Sequence, residues 1–113
     1  MMDTLHTINI CNDFTDAPGA RYRTDGPKSG QEFLEDLLRP WFEKAVAAKS
    51  LLRIELDGTW GYASSFISGS FGELSQQFGK GLVHSHIQLV SEENPLLIEK
   101  IKNEINEPKK KDG

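Results

Sequence analysis

The stretch LLRIELDG at residues 51–58 decides the fold, because it joins an apolar alternation to a strong stop signal. Leu52, Ile54 and Leu56 alternate with more polar residues, which is typical of a β-strand with one buried face. Gly58 then permits a backbone turn that other residues rarely adopt. We therefore predict a strand here and place it at the centre of a sheet.

Helical spacing of apolar residues predicts a helix on each side of this strand. Before it, Ser29 and Glu32 have the spacing of a capping box, so the first helix should begin there. Pro40 lacks an amide donor and should kink or divide that helix near Arg39. After the strand, residues 64–78 carry apolar residues at helical spacing, and the glycine that follows should end this second helix.

The rest of the chain supplies the other expected elements. Alternation over residues 5–14 predicts a first strand, and residues 20–24 predict a short antiparallel edge strand after a proline-glycine turn. Residues 82–90 alternate again and predict a fourth strand, after which Asn94 and Pro95 should begin a third helix. The expected fold is α/β, with a single mixed four-stranded sheet, about three helices mainly on one face, and the order ββαβαβα.

Length and charge restrict the class of protein. A chain of 113 residues is sufficient for one hydrophobic core, so we expect one domain over residues 1–107 and a basic flexible tail over 108–113. The net charge of −4 argues against a nucleic-acid partner, since such proteins neutralise phosphates. No apolar run is long enough to cross a bilayer and no leader is recognisable, so we expect no membrane association and a cytoplasmic protein.

Few residues have the pattern of a catalytic or metal site. Cys11 stands alone in an apolar stretch, and we interpret it as a small buried residue rather than a nucleophile. His84 and His86 would share a strand face but lack a third ligand, so no metal is expected. The glycines form no nucleotide fingerprint, and we expect no cofactor.

Residues 57–66 form the most informative segment, because they connect the end of the central strand to a helix start. Ser64 or Ser65 could cap this helix, or could present a phosphate or bind an anion at its positive end. Trp60 and Tyr62 could be core residues or contact residues. The residues alone leave these alternatives open.

Four short motifs give the chain a family resemblance. They are SGQEF at residues 29–33, LDG at 56–58, SSF at 64–66 and FGEL at 71–74. In this order they resemble the STAS-like family of small bacterial domains, often classed as of unknown function, which is related in architecture to anti-sigma-factor antagonists. The resemblance implies that Ser65, with Ser64 beside it, takes the place of a serine that a partner kinase phosphorylates. Ala63 and Phe66 stand where those antagonists have an acidic residue and a glycine.

The resemblance implies a non-enzymatic, regulatory protein-interaction module, acting as a phospho-switch or adaptor for a histidine-kinase-type ATPase. Its expected binding or regulatory residues are Asp57, Trp60, Tyr62, Ser64, Ser65 and Phe66. A homodimer formed through an exposed sheet edge, or through Trp60 and Tyr62, is compatible with this role.

The alternative is a small enzyme or enzyme subunit that uses Asp57, Ser64 and Ser65. It needs a base near Ser65, and His84 or His86 on the following strand would have to supply it.

Overall fold

The computed structural model of the chain describes residues 2–108, and its centre is a parallel sheet. Within these residues the sheet has three strands, β1 (Thr4–Asn9), β2 (Leu51–Glu55) and β3 (Ile87–Val90), in the order β1-β2-β3. Both pairings are parallel. The stretch at residues 51–58 therefore does supply the central strand, as predicted.

Five helices accompany the strands in the described part of the chain. Helix α1 is Ile10–Asp13, α4 is Lys80–His86 and α5 is Pro95–Asn106. Helices α2 and α3 each contain a wider π-helical turn: α2 runs through Gly30–Phe33, Leu34–Leu38 and Arg39–Ala47, and α3 through Ser64–Ile67, Ser68–Gly72 and Glu73–Phe78. A short 3₁₀ turn, Arg23–Asp25, precedes α2.

The structure is α/β, but the predicted mixed four-stranded sheet with about three helices, in the order ββαβαβα, is wrong. Helix α2 connects β1 to β2, and α3 with α4 connects β2 to β3, so each neighbouring pair of strands is parallel. Along β2, Leu52 and Ile54 are buried against the helices, whereas Arg53 and Glu55 on the opposite face are half-buried and paired at 3.4 Å. The helices therefore cover one face of the sheet.

The predicted second strand over residues 20–24 is absent, because backbone carbonyls of this segment are hydrogen-bonded to a helix. The carbonyls of Ala20 and Arg21 accept hydrogen bonds from the amides of Gly30 (2.8 Å) and Gln31 (2.9 Å). These amides belong to the first turn of α2, where no earlier helical carbonyl is available to them. This segment thus completes the start of a helix instead of extending the sheet.

The predicted fourth strand is wrong over its first half, since residues 80–86 form α4 and only Ile87–Val90 are extended. Gly79 has a φ of +90° and redirects the chain between α3 and α4. Val83 and Ile87 fit both a period of two and the four-residue spacing of a helix. In the structure Val83 belongs to α4 and is its buried residue, so this part of the chain follows the helical spacing.

The first strand also ends earlier than the predicted residue 14. The Asn9 side chain accepts a hydrogen bond from the Asn12 amide (3.0 Å), while the Asp13 carboxylate accepts one from the Asn9 amide (2.8 Å). This reciprocal pair starts a helical turn directly after β1.

Helix α2 begins as predicted, with the Ser29 hydroxyl accepting from the Glu32 amide at 3.0 Å. The Glu32 carboxylate, however, accepts from the Lys28 amide rather than from Ser29. The helix is not divided at Pro40. Instead, it widens just before the proline, where the Arg39 amide donates to the Leu34 carbonyl five residues earlier.

Helices α2 and α3 meet through their backbones. A Cβ on Gly30 would lie 2.5 Å from the Phe66 carbonyl oxygen, and a Cβ on Gly69 would lie 2.6 Å from the Arg21 carbonyl oxygen. Beside this contact the buried rings of Phe33 and Phe66 pack with centroids 5.7 Å apart. Glycine is therefore required at both positions for steric reasons.

Replacing Gly30 by alanine should lower the free energy of unfolding by about 1–3 kcal/mol, because the new methyl group forces two helix backbones apart. Gly81→Ala is the matched control, since nothing lies within 4 Å of a Cβ there. Alanine is more favourable than glycine in a helix by up to about 1 kcal/mol, so Gly81→Ala should leave the free energy of unfolding unchanged or raise it. Urea unfolding measures both variants, and equal effects would contradict the close approach.

Candidate functional site

The candidate site lies at the carboxyl edge of the sheet, where the chain leaves β2. The segment over residues 56–62 and the turn before α5 enclose a groove of about 420 Å³. We call it the Trp60 groove, and its principal lining residues are Asp57, Trp60, Tyr62, Glu93, Leu96 and Lys100. Open α/β sheets commonly bind their ligands outside the carboxyl ends of the strands.

Asp57 holds the two walls of the groove together. Its carboxylate accepts hydrogen bonds from the Ser91 hydroxyl (2.7 Å) and from the amides of Glu92 (2.8 Å) and Glu93 (3.3 Å). The Ser91 hydrogen bond is the largest cause that lowers the pKa of Asp57 below its ordinary value of 3.8, and the two amides add to it. Asp57 is thus an ionised anchor of the turn before α5.

Gly58 links the same turn to α1. It has a φ of +96°, its amide donates to the Glu93 carboxylate at 2.8 Å, and its carbonyl accepts from the Cys11 thiol at 3.1 Å. Cys11 is half-buried rather than fully buried, which corrects the sequence interpretation. Its thiol takes part in fixing the loop.

Tyr62 forms a rigid wall of the groove. Its hydroxyl donates to the Leu56 carbonyl at 2.8 Å, and its ring meets the buried Phe66 ring edge-to-face at 6.2 Å. Burial raises the pKa of Tyr62 well above its ordinary value of 10.0. The phenol therefore stays neutral and keeps the loop against the end of β2.

Trp60 is exposed although its backbone is held in place. The Trp60 amide donates to the Asp16 carbonyl at 2.8 Å, and the Ala63 amide donates to the Pro18 carbonyl at 3.1 Å. The indole side chain is nevertheless 88% exposed, and Leu96 on the other wall is 77% exposed. Two large apolar side chains thus face solvent on either side of one groove.

Ser64, Ser65 and Phe66, at the start of α3, differ in their exposure to solvent. Ser64 is exposed, Ser65 is half-buried and Phe66 is fully buried in the core. The N-cap residue is Ala63, and no side chain caps this helix, so the suggested capping by Ser64 or Ser65 is wrong. Ser64 instead lines a second cavity of about 280 Å³ together with Lys100, which also lines the Trp60 groove.

The structure does not bring a histidine to Ser65. His86 Nδ1 lies 2.9 Å from the carbonyl oxygen of Ser50, at the amino end of β2. His84 Nε2 lies 2.8 Å from the Asn106 side-chain oxygen near the end of α5. Ser65 follows the opposite end of β2, and five extended residues span about 16 Å. The pairing that the enzyme alternative requires is not formed.

Residues 2–108 lack two features that would indicate other functions. They contain no group of three or more histidine, cysteine, aspartate or glutamate side chains placed to hold a metal ion. No helix in the same range has both the length and the apolar character needed to cross a membrane. The basic run Lys109 to Lys111 lies outside the described residues.

Three of the six principal groove residues were not predicted from the sequence, namely Glu93, Leu96 and Lys100. Leu96 carried a usable signal, because it lies off the apolar stripe of α5, whose buried members are Leu97, Ile101 and Ile105. A leucine outside the buried stripe of an amphipathic helix indicates a surface contact. Glu93 and Lys100 gave no such signal.

Comparison with known proteins gave no match. No family model fits the chain, and neither the curated proteins nor the solved structures include one that is significantly similar. The STAS-like resemblance therefore stays a prediction that rests on four short motifs.

The lowered pKa of Asp57 predicts a pH-dependent contribution to stability. A depressed folded-state pKa stabilises the fold above about pH 4, and this contribution is lost as the pH falls through the folded-state value. Asp57→Asn should therefore unfold at a lower temperature than the parent at pH 7, with the difference shrinking towards pH 3. Glu92→Gln, at an exposed neighbouring carboxylate, is the control. A difference that is constant with pH would contradict the anchoring role.

The uncapped start of α3 predicts a stabilising substitution. Ala63 has the extended backbone of an N-cap (φ −68°, ψ 143°) but no side-chain acceptor, so Ala63→Asp should stabilise the protein by about 1 kcal/mol. Ala63→Asn supplies the acceptor without the charge and should give most of this gain, whereas Ala63→Leu should give none. Thermal unfolding measures all three, and no gain with either Asp or Asn would show that the helix start is arranged differently.

Proposed function

We propose that the protein is a non-enzymatic regulatory module of the STAS-like kind, which binds a protein partner at the Trp60 groove. The observation that carries this proposal is the pair of exposed side chains, Trp60 and Leu96, on opposite walls of a groove with hydrogen-bonded walls. Tryptophan and tyrosine are enriched among the residues that dominate protein–protein binding energy. A protein surface that already has its bound shape also loses little entropy on binding.

The polar groups of the groove support binding rather than proton transfer. The Asp57 carboxylate has three donors within the protein, and the Tyr62 hydroxyl is committed to the Leu56 carbonyl. A general base needs a free acceptor within hydrogen-bond reach of substrate. The enzyme alternative has no observation in its favour, since His84 and His86 lie away from Ser65.

The partner of the proposed module is a histidine-kinase-type ATPase, as the STAS-like resemblance suggests. Phosphorylation at Ser64 or Ser65 is the proposed switch. Ser64 supports this, because it is exposed at the first position of α3 and shares a cavity with Lys100. A phosphate there would add negative charge near the positive end of a helix and beside an ammonium group that also lines the groove.

Affinity capture with the tagged protein, from cells that express it, tests the proposal. The parent protein should enrich a histidine-kinase-type ATPase, and Trp60→Ala should reduce that enrichment about tenfold or more, because it removes the largest apolar contact. Leu96→Ala should also weaken capture. Leu82→Ala is the matched control, since Leu82 is a partly exposed leucine on α4, outside the groove.

The same experiment separates the alternatives. Capture of this partner that is equal for the parent, Trp60→Ala and Leu96→Ala would overturn the assignment of the groove. Equal binding by Ser64→Asp, Ser65→Asp and their alanine counterparts would remove the switch but retain the docking surface. Turnover of a substrate by the purified protein, abolished by Ser65→Ala, would overturn the proposal in favour of an enzyme.

A further inference from the structure

The outer edge of β3 lies at the side of the sheet, away from the Trp60 groove. Strand β3 pairs only with β2, and no described strand lies beyond it. Its residues are Ile87, Gln88, Leu89 and Val90, with neither a proline nor a charged side chain among them. Edge strands of proteins are commonly protected from further pairing by such residues, by bulges or by a covering element.

The hydrogen-bonding direction of β3 shows which groups face outward. The Val90 carbonyl accepts from the Leu56 amide at 2.9 Å, so Val90 and, two positions earlier, Gln88 direct their backbone groups towards β2. Leu89 lies between them and directs its amide and carbonyl to the opposite side. The Ile87 amide is already bonded to the Val83 carbonyl. Leu89 therefore offers a donor and an acceptor to an additional strand.

A groove runs beside this edge and could receive the side chains of an additional strand. It has a volume of about 430 Å³, and Ile87 and Leu89 of β3 line it together with Val83 of α4 and Ile105 of α5. Val83 and Ile105 are buried at its base. An edge with free backbone groups beside an apolar groove is the arrangement that binds extended peptides by strand addition.

The charge of the groove identifies the kind of peptide. Lys102 and His84 line it, and no carboxylate is among its described lining residues, although the whole chain carries a net charge of −4. A second copy that paired through the same edge would bring Lys102 groups of two chains towards each other. An extended segment that alternates apolar and acidic residues is complementary in both hydrophobicity and charge.

The geometry points to a second binding site, in which an extended acidic peptide segment adds to β3 as a fourth strand. The segment bonds to the backbone of Leu89, places alternate apolar side chains in the groove, and sets a carboxylate against Lys102. This site is independent of the Trp60 groove and of the partner proposed there.

Selection from a display library of random peptides about ten residues long tests the inference. Peptides that alternate apolar residues with Asp or Glu should be enriched. Bound to a selected peptide, the protein should protect the Leu89 amide from hydrogen exchange by about tenfold or more, because that amide enters a ladder. Leu89→Pro should abolish binding, since it removes the outward donor at a position where an edge strand tolerates proline.

A second variant keeps the test decisive if Leu89→Pro destabilises the fold. Lys102→Glu should select against acidic peptides, whereas Lys80→Glu, the same charge change on α4 outside the groove, should bind as the parent does. Failure to enrich any alternating peptide, or binding that Lys102→Glu and Lys80→Glu leave equally intact, would overturn the inference. A concentration-dependent dimer that protects Leu89 without peptide would assign the edge to a second copy and overturn it as well.

Discussion

The backbone contact between α2 and α3 is the constraint on which the rest of the helical layer depends. Because Gly30 and Gly69 have no side chains, the two helices approach closely and the Arg21 carbonyl fits against α3. The chain before α2 is thereby held between the helices and the carboxyl edge of the sheet. Its carbonyls at Asp16 and Pro18 then fix the backbone at Trp60 and Ala63. The close contact at Gly30 and Gly69 thus contributes, through the segment before α2, to the position of the exposed Trp60.

The groups around that tryptophan divide into those that hold the loop and those left for another molecule. Asp57 is hydrogen-bonded to the turn before α5, Gly58 to Cys11, and Tyr62 to the end of β2. A network of hydrogen bonds of this kind restricts the motion of the segment that it holds. The large apolar surface that remains exposed belongs to Trp60 and Leu96. Because the polar groups are used within the protein and the apolar side chains stay exposed, this surface favours binding through shape and apolar contact.

The sequence predicted the elements whose apolar spacing allowed one interpretation. The strand at residues 51–55 and the residues of α3 and α5 were found in this way. The Ser29 cap was found from its spacing to Glu32, and the segment that lines the Trp60 groove from its place between a strand and a helix. Prediction failed where local patterns were ambiguous or where distant groups decided. Val83 and Ile87 fit both the period of a strand and the spacing of a helix. Residues 20–24 form no strand because carbonyls of this segment accept hydrogen bonds from the first amides of α2, a contact that no local sequence pattern reveals. The far wall of the groove was missed because it comes from α5, which only tertiary packing brings to β2.

The parallel arrangement of the sheet has a consequence for how the protein folds. The register pairs His6 with Leu52 and Leu52 with Ile87, so the paired positions are 46 and 35 residues apart in the chain. Helices form from neighbouring residues on a fast timescale, whereas each of these pairings first requires a long loop to close. We therefore expect the sheet to assemble after its helices, when β2 pairs with β1 and with β3. Since the Trp60 groove joins the ends of β2 and β3, we expect this surface to form only after both strands have paired.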